Sequence, residues 1–213
     1  EVMGTQVGVS FDFELNKRQM QLIEAKLEGL EHNISKLLKN AVNNTAKQAR
    51  LDLAKKAQET YTVKNVGFKK AIKMKNATQS KMEATLIVTG EPLPLKDFKI
   101  SKSVNGVRAK VLKSGGSKPL EKGGIKAFVG NIARKGQTRK KNTSKGKAGT
   151  QVVHIAVAQR ETAERLPIKT LWSNSVPKMV GNEARVYGVV APSIRENLQK
   201  NIQKQIDKIL GGR

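Results

Sequence analysis

The stretch from Arg165 to Met179 constrains the fold more than any other part of the chain, because it combines two prolines, the only tryptophan and an apolar run. Pro167 has no backbone N–H group and fits a sheet only near a strand start or on an edge. The apolar residues around it are therefore predicted to form the short final strand of a sheet: Leu166, Ile168 and Leu171.

The second half of this stretch predicts a turn followed by a short helix. Pro177 fits the first helical turn, with Asn174 or Ser175 as the capping residue. The turn is predicted over Ser173–Ser175. Trp172 and the apolar residues of the stretch are expected in the core, with a contact to a partner as the alternative.

Period-2 and helical patterns alternate along the rest of the chain. Residues 6 to 14 alternate apolar with polar positions and predict a strand. From Asn16 to about Tyr61 the apolar spacing of three and four residues predicts a long helix or two in succession, rich in small alanines. Residues 63 to 75 predict a short turn or helix and then a strand, and Met82–Gly90 predicts another strand.

The middle of the chain predicts further antiparallel strands. Phe98–Val104 and Val107–Leu112 form a predicted hairpin around Asn105-Gly106, a dipeptide that tolerates positive φ. Ala127–Ala133 and Gln151–Arg160 predict two more strands. The segment between them is predicted to be a mobile loop because it carries seven basic residues and no acidic one: Arg134, Lys135, Arg139, Lys140, Lys141, Lys145 and Lys147.

The C-terminal segment predicts an amphipathic helix. A capping box of Ser193 and Glu196 follows Pro192, and glycines close the helix. One apolar stripe runs along it: Ile194, Leu198, Ile202, Ile206 and Ile209.

Together these elements predict an α+β fold, in which an antiparallel sheet packs against a long N-terminal helix and a C-terminal amphipathic helix. We expect a single domain over residues 1–213. Its predicted parts are an N-terminal strand (1–15), a long helical region (16–61), the sheet (62–172) with the mobile loop at 134–150, and C-terminal helices (173–213).

Composition limits the functions that the chain can have. The formal net charge is +24, so the expected partner is negative: nucleic acid, an anionic membrane surface or an acidic protein. Aromatic residues make up 4% of the chain, which argues against base-stacking platforms. Cysteine is absent and the two histidines lie far apart, so neither a disulfide nor a zinc site is expected. No apolar run is long enough for a membrane span.

The sequence offers little for catalysis. His154 lies in an apolar strand, where a histidine satisfied by one hydrogen bond is the simpler interpretation than a general base. His32 lies among charged residues of the predicted helix. We therefore expect a protein that is not an enzyme and needs no cofactor.

The stretch from Arg165 to Met179 resembles the signature of the minor tail protein Z family of long-tailed bacteriophages and prophages, where an Arg-Leu-Pro-Ile strand precedes a turn and a Val-Pro pair. The residues that match, which are also a candidate subunit interface, are Arg165, Leu166, Pro167, Ile168, Lys169, Trp172, Ser175, Val176, Pro177 and Met179. The similarity extends from about residue 40 to the C-terminus and includes Ala41–Lys47, Pro94–Phe98 and Gly106–Val111. The basic loop after Val129 departs from the family pattern.

The resemblance implies a structural virion protein that completes the head-proximal end of the tail and joins it to the head. It implies tail terminator and head–tail connector proteins as neighbours, and a homo-oligomeric ring of about six copies. The packaged double-stranded DNA backbone is a candidate partner of the basic loop, as is an acidic neighbour. We expect the chain in the virion, and in the host cytoplasm during assembly. The alternative is a sequence-independent nucleic-acid-binding accessory protein.

Overall fold

The computed structural model describes residues 7–13, 21, 31–64, 66–139 and 150–210. The chain forms two compact units. Unit 1 comprises Glu1–Tyr61, Val66–Glu91 and Asn174–Arg213, and unit 2 comprises Thr62–Asn65 and Pro92–Ser173. The predicted α+β class, with helices packed on antiparallel sheets, is confirmed. The predicted single domain stays a prediction.

Unit 1 combines helices with a small antiparallel sheet. Its elements are strand β1 (Val7–Phe13), helix α1 (Glu31–Thr60), helix α2 (Phe68–Ala71), strands β2 (Ile72–Lys75) and β3 (Ala84–Gly90), helix α3 (Val176–Val180) and helix α4 (Tyr187–Leu210). The strand order is β1-β3-β2, with both pairings antiparallel. Ala84, Leu86 and Val88 of the central strand are fully buried, as their alternation predicted.

Helix α1 is the centre of the unit 1 core. Its small residues Ala41, Ala46 and Ala57 are completely buried, which lets neighbouring elements approach closely. The predicted apolar stripe of α4 packs on α1 in one cluster, to which it contributes Leu198, Ile202 and Ile206. The sequence predicts this helix against the sheet and does not predict the contact between the two helices. Each fully buried side chain of this kind stabilises the fold by about 1.5–3 kcal/mol.

The start of α4 differs from the prediction. The helix begins at Tyr187, and Pro192 lies inside it rather than before it. The Asn182 carbonyl accepts N–H groups of residues 185, 186 and 187, so a turn is already formed when the chain reaches the helix. The missing proline N–H therefore removes a single hydrogen bond near the N-terminal end, which costs less than a break in mid-helix. Gly188 is required here, because an added Cβ would lie 2.3 Å from the Glu183 carbonyl oxygen.

Unit 2 is built mainly of short strands. They are β4 (Pro92–Pro94), β5 (Lys99–Ser103), β6 (Gly106–Lys110), β7 (Lys118–Pro119), β8 (Glu121–Lys122), β9 (Ile125–Lys126), β10 (Phe128–Arg139), β11 (Thr150–Arg160) and β12 (Ile168–Thr170), with a 3-10 turn at Leu95–Asp97. Strand β13 (Trp172–Ser175) begins in unit 2, and its last two residues belong to unit 1. The larger sheets have the orders β5-β6-β7 and β10-β11-β12, and all of their pairings are antiparallel.

The predicted β5–β6 hairpin is confirmed, but its turn lies one residue earlier than expected. Ser103 pairs with Gly106, so the two-residue loop is Val104-Asn105. Gly106 then follows the loop with a φ of +107°, a conformation that favours glycine. The prediction that Gly106 has a positive φ is therefore confirmed, and the prediction that it lies within the two-residue turn is wrong.

The long hairpin of β10 and β11 also differs from the prediction. Strand β10 continues to Arg139, six residues beyond the predicted end at Ala133, and β11 begins at Thr150. The register shifts between Ala133 and Thr138, which lets the ladder continue beyond an irregular stretch. A run of basic residues does not by itself end a strand, because an edge of the ladder can remain in solvent while the backbone stays paired.

Candidate functional site

Positive charge is concentrated in unit 2. With the unit boundaries given above, unit 2 holds 20 lysines and arginines against 4 acidic residues, a formal net charge of +16, and unit 1 holds 21 against 13, a net +8. Unit 2 is the shorter of the two and still carries two thirds of the excess charge. The part of the chain that is expected to meet a negative partner is therefore unit 2.

The described cations of unit 2 are exposed, apart from the half-buried Lys110. Among its described side chains, none forms an ion pair; the ion pairs of the described chain, Lys81 with Glu83 and Lys200 with Glu196, lie in unit 1. In both pairs the lysine lowers the pKa of the glutamate, chiefly through a hydrogen bond. The described cations of unit 2 are therefore available to bind a negative partner.

The β5–β6 hairpin arranges part of this charge on one face. Lys99 lies directly opposite Lys110, and Ser101 opposite Arg108. Residues of alternate positions share a face of a strand, so Lys99, Arg108 and Lys110 belong to the same face. We call these three residues the hairpin face. Arg108 also donates a hydrogen bond of 2.6 Å from Nη2 to the Ser117 carbonyl.

The predicted basic loop is described only in part. Arg134, Lys135 and Arg139 lie in β10 rather than in a loop. Lys140, Lys141, Lys145 and Lys147 lie outside the described residues. The loop's predicted contact with DNA or an acidic neighbour stays a prediction.

The C-terminal half of the Arg165–Met179 stretch is built into unit 1. Val176, Pro177 and Met179 are buried in α3. The Ser175 hydroxyl accepts the Lys178 N–H at 3.4 Å, which confirms the predicted cap with proline in the first turn. Ser173–Ser175, predicted as a turn, instead belong to strand β13.

The N-terminal half of the stretch lies in unit 2 and contradicts the expected core position. Trp172 is 56% exposed and Leu166 is 64% exposed. Ile168 begins strand β12 and is half-buried, while Arg165, Pro167 and Lys169 are exposed. Leu166 precedes strand β12, so no strand pairing directs its side chain towards the core. The alternative expectation, a contact with a partner, fits these exposures.

A cleft of about 430 Å³ opens beside this half of the stretch. Its walls come from the β8–β9 hairpin and from the ends of β11 and β12, and the residues that line it are Lys122, Gly123, Ile125, Gln159, Arg160, Glu161, Lys169 and Leu171. We call it the cationic cleft. Three cations and one carboxylate face it. Clefts of a few hundred Å³ are of the size that small ligands and short segments occupy.

Backbone geometry holds the cationic cleft in shape. Gly123 and Gly124 have φ values of +58° and +75° and close β8–β9 as a two-residue turn, which lets Lys122 pair with Ile125. Gln159 donates a side-chain hydrogen bond to the Ile125 carbonyl and is itself paired with Lys169 across the β11–β12 ladder. Both walls are therefore fixed by hydrogen bonds.

The sequence does not predict the cationic cleft. The Gly123-Gly124 pair between residues of moderate strand propensity was the local signal for a hairpin. Nothing in the sequence spacing brings Lys122 near Arg160 and Lys169, because the β8–β9 hairpin and strands β11 and β12 belong to separate sheets that meet only in the folded unit.

A second concave surface lies in unit 1 between α1 and α4. It encloses about 600 Å³, and its lining is rich in amides: Asn44, Gln48, Asn197, Asn201, Lys204, Gln205, Asp207 and Lys208. Asn201 Nδ2 donates to the Thr45 hydroxyl at 3.0 Å, and that hydroxyl donates to the Ala41 carbonyl at 2.9 Å. These bonds connect the two helices and give the groove a structural role.

The described residues show no further candidate for a catalytic, metal or membrane site. Burial raises the pKa of Tyr61 above its ordinary value of 10.0, and the positive charge of Arg185 partly opposes this shift. Within the described ranges no cluster of histidine and acidic residues suits a metal ion. Among the described helices, none is both long and apolar enough to cross a membrane. The side chains of His32 and His154 lie outside the described residues.

Comparison of the chain with protein-family models, with curated proteins and with solved structures gave no match.

Proposed function

We propose that this chain is a structural virion protein of a siphophage-like tail. It completes the head-proximal end of the tail and enables head–tail joining, as a ring of about six copies around the DNA conduit. Its neighbours are the tail terminator and head–tail connector proteins. The proposal is supported by the resemblance of Arg165–Met179 to the minor tail protein Z signature. The role is architectural and involves no reaction.

The single observation that carries the proposal is the uncompensated charge of unit 2. Its formal net charge is +16, its described lysines and arginines are exposed apart from the half-buried Lys110, and they form no ion pair with a described residue. A ring multiplies this charge around a common axis, and low-dielectric walls strengthen the field that it produces. Such a ring attracts a polyanion or an acidic neighbouring ring.

The proposal is tested by complementation of a phage or prophage that lacks this chain. A variant with the hairpin face neutralised (Lys99→Gln, Arg108→Gln and Lys110→Gln) and a variant with the seven basic residues of 134–147 changed to glutamine are expected to lower the yield of joined particles. The control removes three exposed lysines of unit 1: Lys55, Lys73 and Lys75. Joining at normal levels in both unit 2 variants contradicts the proposal.

The second candidate function is sequence-independent nucleic-acid binding by a soluble accessory protein. The observation that favours it is the hairpin face itself, because each of its cations can contact a phosphate whatever the base sequence. If the three cations each neutralise one phosphate, they contribute about −2.7 to the slope of log affinity against log salt. Ring-shaped or tail-bound protein in electron micrographs favours the tail proposal. Tight duplex binding without any association with particles favours the accessory protein.

A further inference from the structure

We infer that the cationic cleft is a docking site for a short acidic peptide segment of a partner protein. The inference deepens the proposed function, on which the identity of that partner as a tail or neck protein rests. The binding itself follows from the residues of the cleft.

The charges of the cleft favour an anionic ligand. Lys122, Arg160 and Lys169 line it together with a single carboxylate, that of Glu161. None of these four side chains forms an ion pair with another described residue. A carboxylate that enters the cleft can therefore take hydrogen bonds from cations that have no competing partner, and such charge-assisted bonds are about twice as strong as neutral ones.

The remaining lining favours a peptide over a nucleic acid. Glu161 repels a phosphodiester backbone, which offers acceptors only, whereas a peptide also carries N–H groups that a carboxylate accepts. Ile125 and Leu171 add half-buried apolar surface to the lining. A segment with both acidic and apolar side chains matches this mixture.

The exposed part of the Arg165–Met179 stretch lies next to the lining residues Lys169 and Leu171 in sequence and carries two large apolar side chains. Leu166 and Trp172 flank strand β12, which supplies Lys169 to the cleft. Both side chains are more than half exposed, although they are among the largest apolar residues of unit 2. Exposed tryptophan and arginine are typical of the anchors of protein interfaces.

The test uses the purified full chain and a fluorescein-labelled octapeptide of alternating glutamate and leucine, followed by fluorescence anisotropy at physiological salt. The cleft variant Lys122→Ala with Lys169→Ala is expected to bind the peptide about tenfold more weakly or worse, since one charge-assisted hydrogen bond is worth about a factor of ten. The matched control, Lys99→Ala with Lys110→Ala, removes the same charge from the hairpin face. It is expected to change the affinity by less than about threefold, because salt screens charges that do not contact the peptide.

Besides an absence of peptide binding, three results would overturn the inference. The first is an equal loss of affinity in the cleft variant and the control, which would mean that binding depends on overall charge. The second is equal binding of a peptide with glutamine in place of glutamate. The third is a short DNA duplex that displaces the peptide from the wild-type cleft at lower concentration than the unlabelled peptide does. Glu161→Gln is expected to make the duplex a severalfold better competitor, which checks the role of that carboxylate.

The two proposals fail independently. Absence of peptide binding by the purified protein overturns the cleft assignment and leaves particle joining to be judged by complementation. Normal particle joining in the unit 2 variants overturns the tail function, while peptide binding by the cleft would still stand.

Discussion

The pairing of Lys99 with Lys110 predicts that the hairpin face costs the free protein stability. The two lysines lie directly opposite each other on β5 and β6, and Arg108 belongs to the same face. Like charges in directly opposed positions destabilise a sheet by about 0.2–1 kcal/mol, the range measured for cross-strand pairs. Lys99→Thr is therefore expected to raise the free energy of unfolding by that amount.

The measurement is thermal unfolding followed by circular dichroism at low and at high salt. For a chain of this length the gain corresponds to a rise in midpoint of roughly 0.5–4 °C. The control is Lys102→Thr, a change of the same residue on the same strand, where Val107 lies opposite. Both variants gain the same strand propensity from threonine, so the difference between them reports the charge repulsion.

Salt separates this explanation from a packing effect. At about 1 M salt the screening length falls to about 3 Å, and the advantage of Lys99→Thr over Lys102→Thr is expected to vanish. An equal gain in both variants, or an advantage that persists at high salt, would refute the reasoning. The same Lys99→Thr change is expected to make the salt slope of duplex binding shallower by about 0.9, if this lysine meets a phosphate.

Three further predictions concern unit 1. Because burial raises the pKa of Tyr61, the folded protein holds the phenol proton more tightly than the unfolded chain does. The free energy of unfolding is therefore expected to fall as the pH rises past about 10. In urea unfolding, Tyr61→Phe should remove this loss, while Tyr187→Phe, the change of the other tyrosine, should keep it. Gly188→Ala is expected to destabilise the start of α4 by more than about 1 kcal/mol, because a carbonyl oxygen would lie 2.3 Å from the new methyl group; Gly116→Ala, with no atom within 4 Å, should be nearly neutral in the same thermal assay. Leu38→Ala, at a position 1% exposed, is expected to cost about 2–5 kcal/mol in chemical unfolding, and a cost below about 1 kcal/mol would contradict the assigned core.

Periodicity predicted the helices and strands in which burial alone decides which side chains face the core. Ala84, Leu86 and Val88 alternate in the sequence and are buried in the strand that they predict. The stripe of Ile202 and Ile206 packs on α1 for the same reason, since one helical face must leave water. In these segments local pattern and tertiary structure require the same arrangement.

Local signals failed where a distant segment decided the outcome. Pro192 with its capping box predicted a helix start, yet the carbonyl of Asn182 had already begun the turn upstream. Trp172 was expected in the core from its size, but its strand lies where it is 56% exposed. The sequence indicates that such a residue avoids water and does not indicate whether the same chain or a partner covers it.

For the candidate site too, the sequence predicted one part, and the other part depends on the fold. Composition predicted a strongly basic protein, but the concentration of that charge in unit 2 depends on how the chain is divided between the units. The cationic cleft brings Lys122 together with Arg160 and Lys169, which lie more than 35 residues further along the chain. The β8–β9 hairpin and strands β11 and β12 belong to separate sheets, and the Gln159 side chain connects them by its hydrogen bond to the Ile125 carbonyl. Non-local contacts of this kind cannot be derived from spacing along one chain.

The proposed function implies a phage or prophage source, and its most direct test is a reconstruction of the particles that this source makes, with an antibody or tag on the chain to identify its density. The proposed function predicts a ring of this protein at the head-proximal end of the tail, with unit 2 against the DNA conduit or against an acidic neighbouring ring. Joined, infectious particles that lack the chain altogether, or that carry it elsewhere, would contradict it.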